Sequence, residues 1–187
     1  MTDAPAPPAL PTAGEVVAFW RDAGPAKWFA KDPDFDARFR ARFLDAHMAA
    51  AARRLDGWLG DAEGALALMI LLDQFPRNTY RGTAHMFATD PLARHFAGRA
   101  VRDGLDRQVP RELRIFFYLP FEHSESAQDQ ARCLELVQGL EAETVRYAVV
   151  HRDIIERFGR FPHRNAALGR DTTPEEQAFL DGGGFAG

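Results

Sequence analysis

The chain has little of two features that would place it outside the cell or in a membrane. Cys133 is its only cysteine, so an intrachain disulfide is impossible and a reducing compartment is expected. We therefore expect a cytoplasmic protein. Its longest apolar runs, residues 65–72 and 115–121, are far shorter than the roughly 20 residues that a helix needs to cross a bilayer. The sequence predicts no membrane span.

The chain also has no excess of basic charge, and the common cofactor and metal motifs are missing. The 187 residues carry 23 Lys and Arg against 27 Asp and Glu, without the basic stripe of a nucleic-acid-binding domain. No Gly-rich phosphate loop or Gly-x-Ser-x-Gly motif is present, and no cofactor can be named. No cysteine pair or i, i+4 histidine pair occurs, so we predict no metal site. A site assembled from the distant residues His123, Glu125, His151 and His163 is the remaining alternative.

Apolar residues, by contrast, are plentiful enough for a packed core. They make up 46% of the chain, with 15 Phe and 3 Trp, and burial of that much apolar surface can offset the entropy lost on folding. A length of 187 residues suits one domain better than two. We predict a single helical domain over residues 12–181, a flexible Ala/Pro-rich tail over 1–11 and a Gly-rich tail over 182–187.

The apolar residues recur at helical spacing, and no stretch alternates with the two-residue period of a strand. Predicted helix starts include a capping box at Thr12, the Asp32-Pro33 and Asp90-Pro91 pairs, Asp61 ahead of a run that is apolar on all sides, and Thr173 before a short final helix. The helix after Pro33 should reach about Leu55. We predict an all-α protein of antiparallel helix hairpins, stacked in a tetratricopeptide-like, irregular solenoid or bundle.

Proline and glycine predict where several helices end. Pro110 should open a later helix. Pro76 should stop the third helix, and Pro120 should end or kink the one that Pro110 opens, because proline has no amide hydrogen and its ring clashes with the preceding turn. His123 would then lie at a bend. Gly159 should end the long helix that starts near Ala142, since glycine readily adopts the left-handed conformation found after helix ends.

Two segments repeat a Phe-Pro-(x)-Arg-Asn pattern at predicted helix ends. The first Phe-Pro segment is 74–78, Gln-Phe-Pro-Arg-Asn, and the second is 161–165, Phe-Pro-His-Arg-Asn. Helix termination explains the proline and the asparagine. It does not require arginine, and Arg and Asn beside a histidine can form a pocket for a carboxylate or phosphate. The candidate ligand-binding residues are Asp73, Arg77, Asn78, His163, Arg164 and Asn165.

Asp73 is placed in the last turn of the buried third helix, where the helix dipole disfavours a carboxylate by roughly 0.3 to 1 kcal/mol. It therefore needs a cation. Arg77 and Arg81 are close in sequence, and Arg160 or Arg164 could approach from the second Phe-Pro segment. An Asp–Arg ion pair that ties two helix ends together, with a structural role, is the simplest interpretation.

Three residues are candidates for acid–base catalysis: His123, Glu125 and His151. The first two follow Pro120, where side chains can leave a rigid helix and point into a cleft. His151 lies on the apolar face of its helix, and burial shifts the pKa of an imidazole easily. The alternatives are that His151 is a core histidine bonded to a carbonyl or carboxylate, and that Glu125 simply suits the first turn of the next helix.

Three long motifs contain most of these candidates. They are residues 71–78, Leu-Leu-Asp-Gln-Phe-Pro-Arg-Asn, residues 118–125, Tyr-Leu-Pro-Phe-Glu-His-Ser-Glu, and residues 158–165, Phe-Gly-Arg-Phe-Pro-His-Arg-Asn. Together they resemble the bacterial domain of unknown function 924 (DUF924) family, over about Glu15 to Leu180. The resemblance implies a helical fold similar to tetratricopeptide-repeat proteins, and it implies no particular activity, cofactor or substrate.

The sequence leaves three functions open. The first is a tetratricopeptide-like binding protein whose groove receives an acidic peptide or a small anionic ligand through Arg77, Arg164 and Asn165. The second is an enzyme that uses His123 or His151 as general acid or base, with Glu125 as the carboxylate that orients the histidine, on an anionic substrate. The third is a buried polar network that only fixes how the helices pack. Rings of His123, His151 and His163 that lie more than about 10 Å apart, with no shared cleft, would rule out the enzyme, because proton transfer needs contact within hydrogen-bond reach or through one water.

Overall fold

The computed structural model describes residues 9–185, and within that range it contains helices and no strand. The α-helices are α1 (Ala13–Ala23), α2 (Pro25–Trp28), α3 (Pro33–Ala51), α4 (Ala62–Met69), α5 (Phe75–Thr79), α6 (Asp90–Arg102), α7 (Ile115–Glu122), α8 (Ala127–Val137), α9 (Ala142–Phe158) and α10 (Pro174–Asp181), and a π-helical turn (Ile70–Gln74) joins α4 to α5. The all-α prediction is confirmed. Residues 1–8 of the predicted N-terminal tail and 186–187 of the C-terminal tail lie outside the described range.

Side-chain caps start four of these helices where the sequence predicted them. At α1 the Thr12 hydroxyl accepts a hydrogen bond from the Glu15 amide at 3.3 Å, and the Glu15 carboxylate accepts one from the Thr12 amide at 2.8 Å. Asp32 and Asp61 accept hydrogen bonds from the amides three residues later. Thr173 forms a second capping box at α10. Each cap satisfies an amide that the first helical turn leaves without a partner.

The end of α3 differs from the prediction, since the helix stops at Ala51 rather than near Leu55. Arg53 adopts a left-handed backbone with φ of 64°, a conformation that costs a non-glycine residue about 1 to 2 kcal/mol. Its guanidinium forms an ion pair with Asp56 at 2.6 Å, which closes the turn. The prediction was wrong because arginine carries no sequence signal for such a turn.

The helices pack around one main core that is rich in aromatic rings. α4 contacts α1, α6 and α7, and α7 also contacts α8. Phe39 is fully buried in this core, with its ring centroid 5.1 Å from that of Phe75 and 5.4 Å from that of Trp20. The arrangement fits the tetratricopeptide-like description. No helix within residues 9–185 is both long and apolar enough to cross a membrane.

The third predicted helix was expected to stop at Pro76, and this prediction was wrong. Helical structure continues from α4 through the π-helical turn into α5, which contains Pro76. A proline donates no amide hydrogen, so carbonyls of the preceding turn need other donors. His47 Nδ1 donates to the Leu71 carbonyl at 2.8 Å, and the Thr89 hydroxyl donates to the Leu72 carbonyl at 2.5 Å. Two side chains distant in sequence therefore allow the helix to pass its proline.

Pro120, the second predicted stop, lies inside α7, and the helix ends two residues later at Glu122. All eight residues of α7 are buried, so this helix runs through the protein interior. The sequence predicted the helix to start after Pro110, where the structure has a short 3₁₀ turn, Arg111–Leu113. His123 is the first residue after α7, and its position follows from the end of the helix rather than from a proline bend.

α9 and the segment after it form a second, smaller apolar cluster beside α7 and α8. Its buried members are Ile154, Ile155 and Phe161. α9 ends as predicted, with Gly159 in the left-handed conformation at φ of 69°. Phe185, near the end of the described chain, packs against this cluster. Phe75 of the first Phe-Pro segment belongs to the main core, and Phe161 of the second belongs to this smaller cluster.

Candidate functional site

Asp73 lies in the π-helical turn, is fully buried, and is contacted by three polar side chains. Gln74 Nε2 donates to its Oδ2 at 2.6 Å, while Arg77 Nη1 and His123 Nδ1 lie 3.0 Å and 2.8 Å from its Oδ1. Burial acts to raise the pKa of Asp73, but the charge of Arg77 and the contact with His123 outweigh it and hold the pKa at about 2. The predicted cation is therefore Arg77. The other arginines near these segments bind elsewhere: Arg81 pairs with Asp36, Arg160 with Glu176 and Arg164 with Asp90.

The two Phe-Pro segments meet at one carboxylate, that of Asp90. Arg77 forms two hydrogen bonds with it, from Nη1 to Oδ1 at 2.8 Å and from Nη2 to Oδ2 at 3.0 Å. Arg164 Nη1 approaches Oδ2 at 3.3 Å from the other segment. The sequence marked Asp90 only as the start of α6, so its role as the link between the segments was missed.

The guanidinium of Arg164 is packed between two aromatic rings. Its Cζ lies 4.6 Å from the ring centroids of both Phe87 and Phe161. Nη2 donates to the His123 carbonyl at 2.9 Å, while Nε is buried and has no hydrogen-bond partner in the described part of the chain. Burial and then the charge of Arg77 lower the pKa of Arg164 to about 10. It is still a cation at neutral pH.

His123 is oriented by Asp73 so that its second ring nitrogen is free. An ionised carboxylate can only accept a hydrogen bond, so His123 Nδ1 carries the hydrogen and donates it. Nε2 then has a lone pair, and it makes no hydrogen bond within residues 9–185. The side chain is 14% exposed. Burial and the charge of Arg77 lower the pKa of His123, so the ring is neutral at pH 7.

His151 and His163 complete what we term the histidine group, together with His123. The ring centroids of His123 and His151 are 6.4 Å apart, and His151 Nδ1 donates to the Tyr147 carbonyl at 2.9 Å. Burial is the main cause that lowers the pKa of His151 to about 4 and that of His163 to about 3. Phe185 packs on both of these rings, at centroid distances of 4.5 Å and 5.3 Å.

Glu122, which was not among the residues selected from the sequence, is a buried carboxyl beside this group. Its Oε1 lies 3.4 Å from His151 Nδ1, and its Oε2 lies 3.9 Å from the sulfur of Cys133. Burial, reinforced by the negative charge of Asp73, raises the pKa of Glu122 to about 8. At neutral pH it is therefore a neutral carboxylic acid, and its contact with His151 is not an ion pair. The sequence signal that could have identified Glu122 is its place as the one acidic residue at the end of an apolar helix.

The two asparagines of the Phe-Pro segments are buried and take part in contacts that join helices. Asn78 Nδ2 donates to a carboxylate oxygen of Asp36 at 2.6 Å, which attaches α5 to α3. Asn165 accepts a hydrogen bond from Arg170 Nε at 2.9 Å and donates to Glu176 at 3.2 Å, which attaches the second segment to α10. Both asparagines are therefore buried with hydrogen-bond partners that join helices, which is a structural role.

Glu125, predicted to orient a catalytic histidine, binds Arg170 instead. The two side chains form a pair of hydrogen bonds at 2.8 Å and 3.0 Å, and Glu125 also accepts one from the Phe161 backbone amide at 2.8 Å. It thereby anchors the second Phe-Pro segment. The carboxylate that orients His123 is that of Asp73.

The histidine group has no metal centre in the described part of the chain, and it lies outside two surface cavities. Within residues 9–185 no set of three or more His, Cys, Asp and Glu side chains is arranged to hold a metal ion. Two surface cavities of about 440 and 580 Å³ lie between α8 and α9 and between α1 and α3. None of the three histidines lines either of these two cavities, and the side chain of His123 is partly exposed.

Comparisons with known proteins agree with this fold. The family described as "Bacterial protein of unknown function (DUF924)" matches residues 16–184. The chain is also similar to the solved structure of the protein of unknown function ATU0120 from Agrobacterium tumefaciens, with a TM-score of 0.90 and 59% sequence identity over 91% of this chain and 97% of that chain. No curated protein matches it. The chain therefore belongs to the DUF924 family of bacterial proteins of unknown function.

Proposed function

We propose that the protein is an enzyme that transfers a proton on a small uncharged substrate, with His123 as the general base. The observation that carries this proposal is the Asp73–His123 pair, in which a buried carboxylate lies 2.8 Å from Nδ1 of a neutral imidazole. The pair selects the tautomer whose Nε2 accepts a proton, as a general base must. A cytoplasmic location, expected from the single cysteine, is part of the proposal.

Glu122 is the proton donor in this proposal. Asp73 and Glu122 are both buried carboxyls, yet their surroundings hold their pKa values at about 2 and about 8. Neighbouring acidic groups held in opposite protonation states are typical of acid–base sites. His151 contacts Glu122 and its ring lies 6.4 Å from that of His123, so the donor and the base belong to one cluster.

The charges around the histidine group favour an uncharged substrate. Arg77 and Arg164 are both paired with Asp90, and Arg77 is also paired with Asp73. Two cations and two anions cancel. An acidic peptide or small anionic ligand, the other candidate, would have to displace Asp90 from the arginines, and a buried carboxylate left without its partners is costly. The observed pairing therefore supports the enzyme over the anion-binding protein.

Diethyl pyrocarbonate, which acylates unprotonated and accessible imidazole nitrogens, tests whether His123 is an available base. At pH 7 we expect His123 to be modified in the folded wild type, and more slowly in Asp73→Asn, as measured by peptide mass spectrometry. The exposed His95 is the internal reference. A folded protein in which His123 stays unmodified while His95 reacts would support the purely structural polar network instead.

A substrate screen then tests catalysis itself. A panel of uncharged esters, lactones, amides and hydroxycarbonyl compounds would be incubated with the wild type, with His123→Gln and with the control His95→Gln. Loss of a general base lowers a rate by about 10²- to 10⁴-fold. We expect a loss of that size in His123→Gln alone, with helical circular dichroism retained. Equal turnover by both variants would contradict a catalytic role for His123.

A further inference from the structure

The chain places one of its own aromatic rings on the histidine group. After α10 it continues through Gly182–Gly184, and Phe185 then packs on His151 and His163. Phe161 also contacts these two imidazoles, at centroid distances of 5.5 Å and 5.6 Å. We call the four rings of His151, Phe161, His163 and Phe185 the aromatic box.

Phe185 is the least firmly held member of the box. Its side chain is partly exposed, whereas Phe161 is fully buried. Three glycines precede it, and Gly183 has a φ of 79°, so the backbone leading to the ring has high conformational freedom. The Gly184 amide donates a backbone hydrogen bond to the Phe179 carbonyl at 2.9 Å, so the chain is held at the residue before Phe185 and not at Phe185 itself.

The box also contains a polar atom without a partner. Nδ1 of His163 is buried and makes no hydrogen bond to any residue between 9 and 185. Buried polar atoms are nearly always hydrogen-bonded in folded proteins, and an exception calls for an explanation. A ligand that brings a hydroxyl group beside the ring of His163 would supply the missing bond.

We propose that Phe185 occupies the position of a ligand's aromatic ring, and that the aromatic box is a binding subsite for an uncharged phenol or aryl alcohol. Aromatic rings pack well against the faces and edges of other rings, and the hydroxyl of such a ligand would pair with His163 Nδ1. The box residues are neutral at pH 7, so a charged ligand would lose its hydration without compensation. The idea that such a phenol or aryl alcohol is the substrate rests on the proposed function. Binding of a phenol to the box can be measured whether or not the protein is an enzyme.

Phenol is the probe, and cyclohexanol is its matched control with the same hydroxyl and no aromatic ring. Each would be titrated into the full chain while the imidazole Cε1–H resonances are followed by NMR. In Phe185→Ala we expect phenol to shift the resonances of His151 and His163 and to bind on the order of tenfold more tightly than in the wild type, because no internal ring has to leave. Phe29→Ala, which removes a ring that is 65% exposed elsewhere, should match the wild type.

Equal phenol affinity in the wild type and Phe185→Ala would overturn the proposal, as would equal binding of phenol and cyclohexanol by the variant. Absence of phenol binding to both proteins would overturn it too. If Phe185→Ala loses its helical circular dichroism, Phe185→Leu, which keeps part of the apolar volume without the aromatic ring, replaces it in the full chain. His123→Gln in the Phe185→Ala background separates the two proposals, since we expect it to leave phenol affinity unchanged while it removes the general base.

Discussion

Replacing Glu122 by Gln should stabilise the protein relative to the wild type increasingly as the pH rises from 4.5 to about 8. In the folded protein the Glu122 carboxyl has a pKa of about 8, against an ordinary value of 4.5. Between these two values the unfolded chain has released the proton and the folded chain still holds it. Because the unfolded state binds fewer protons there, the free energy of unfolding of the wild type falls as pH rises.

The size of this effect follows from the two pKa values. Each pH unit within the interval costs about 1.4 kcal/mol, so the whole interval from pH 4.5 to 8 corresponds to an upper limit of about 5 kcal/mol. Glutamine cannot ionise, so the variant lacks this dependence. Other titrating groups are common to both proteins and cancel in the comparison. The difference in stability between Glu122→Gln and the wild type should grow steadily over this interval and level off above it.

Urea unfolding followed by circular dichroism at pH 5, 6, 7 and 8 measures the difference. Glu135→Gln, which removes an exposed carboxylate on α8, controls for the loss of one formal charge. A difference between Glu122→Gln and the wild type that stays constant over these four pH values would mean that Glu122 is ionised when folded. The proton donor of the proposed reaction would then be lost.

Two further substitutions test the contacts that assemble the site. Asp90→Ala should lower the free energy of unfolding at pH 7 by about 3 to 5 kcal/mol, because it leaves two buried guanidinium groups without their shared partner; urea unfolding that shows less than about 1 kcal/mol would contradict the pairing. Thr89→Val keeps the side-chain shape but removes the donor to the Leu72 carbonyl, at an expected cost of about 1 to 3 kcal/mol. The exposed Thr83→Val is its control in the same assay, and equal losses for the two threonines would argue against support of the π-helical turn by Thr89.

Local signals predicted the helix starts well, and distant contacts account for the errors. The capping boxes at Thr12 and Thr173 involve residues three apart, so the sequence contains everything that forms them. Pro76 was taken as a stop because the donors that satisfy its turn, His47 and Thr89, lie 24 and 17 residues from their acceptors. Arrangements of that kind are visible only once the helices have packed.

The candidate site was predicted in part for the same reason. The need of Asp73 for a cation follows from its own helix, and Arg77 is one turn away. Asp90 and Glu122 were missed because their roles depend on which side chains surround them in the folded protein. Glu125 was given the role of orienting His123 on the basis of proximity in sequence, although the bond is made by a residue 50 positions earlier.

The ion pair between Asp90 and Arg164 joins residues that are 74 positions apart in the chain. This separation determines how late in synthesis the contact can form. Chains leave the ribosome from the N-terminus, and folding begins before they are complete. α1 to α8 and most of the main core can form while the second Phe-Pro segment is still inside the ribosome. Until that segment emerges, Asp90 is paired with Arg77 alone, and the His123 carbonyl lacks its hydrogen bond from Arg164. The proposed acid–base site is thus completed late, after most of the other helices have emerged.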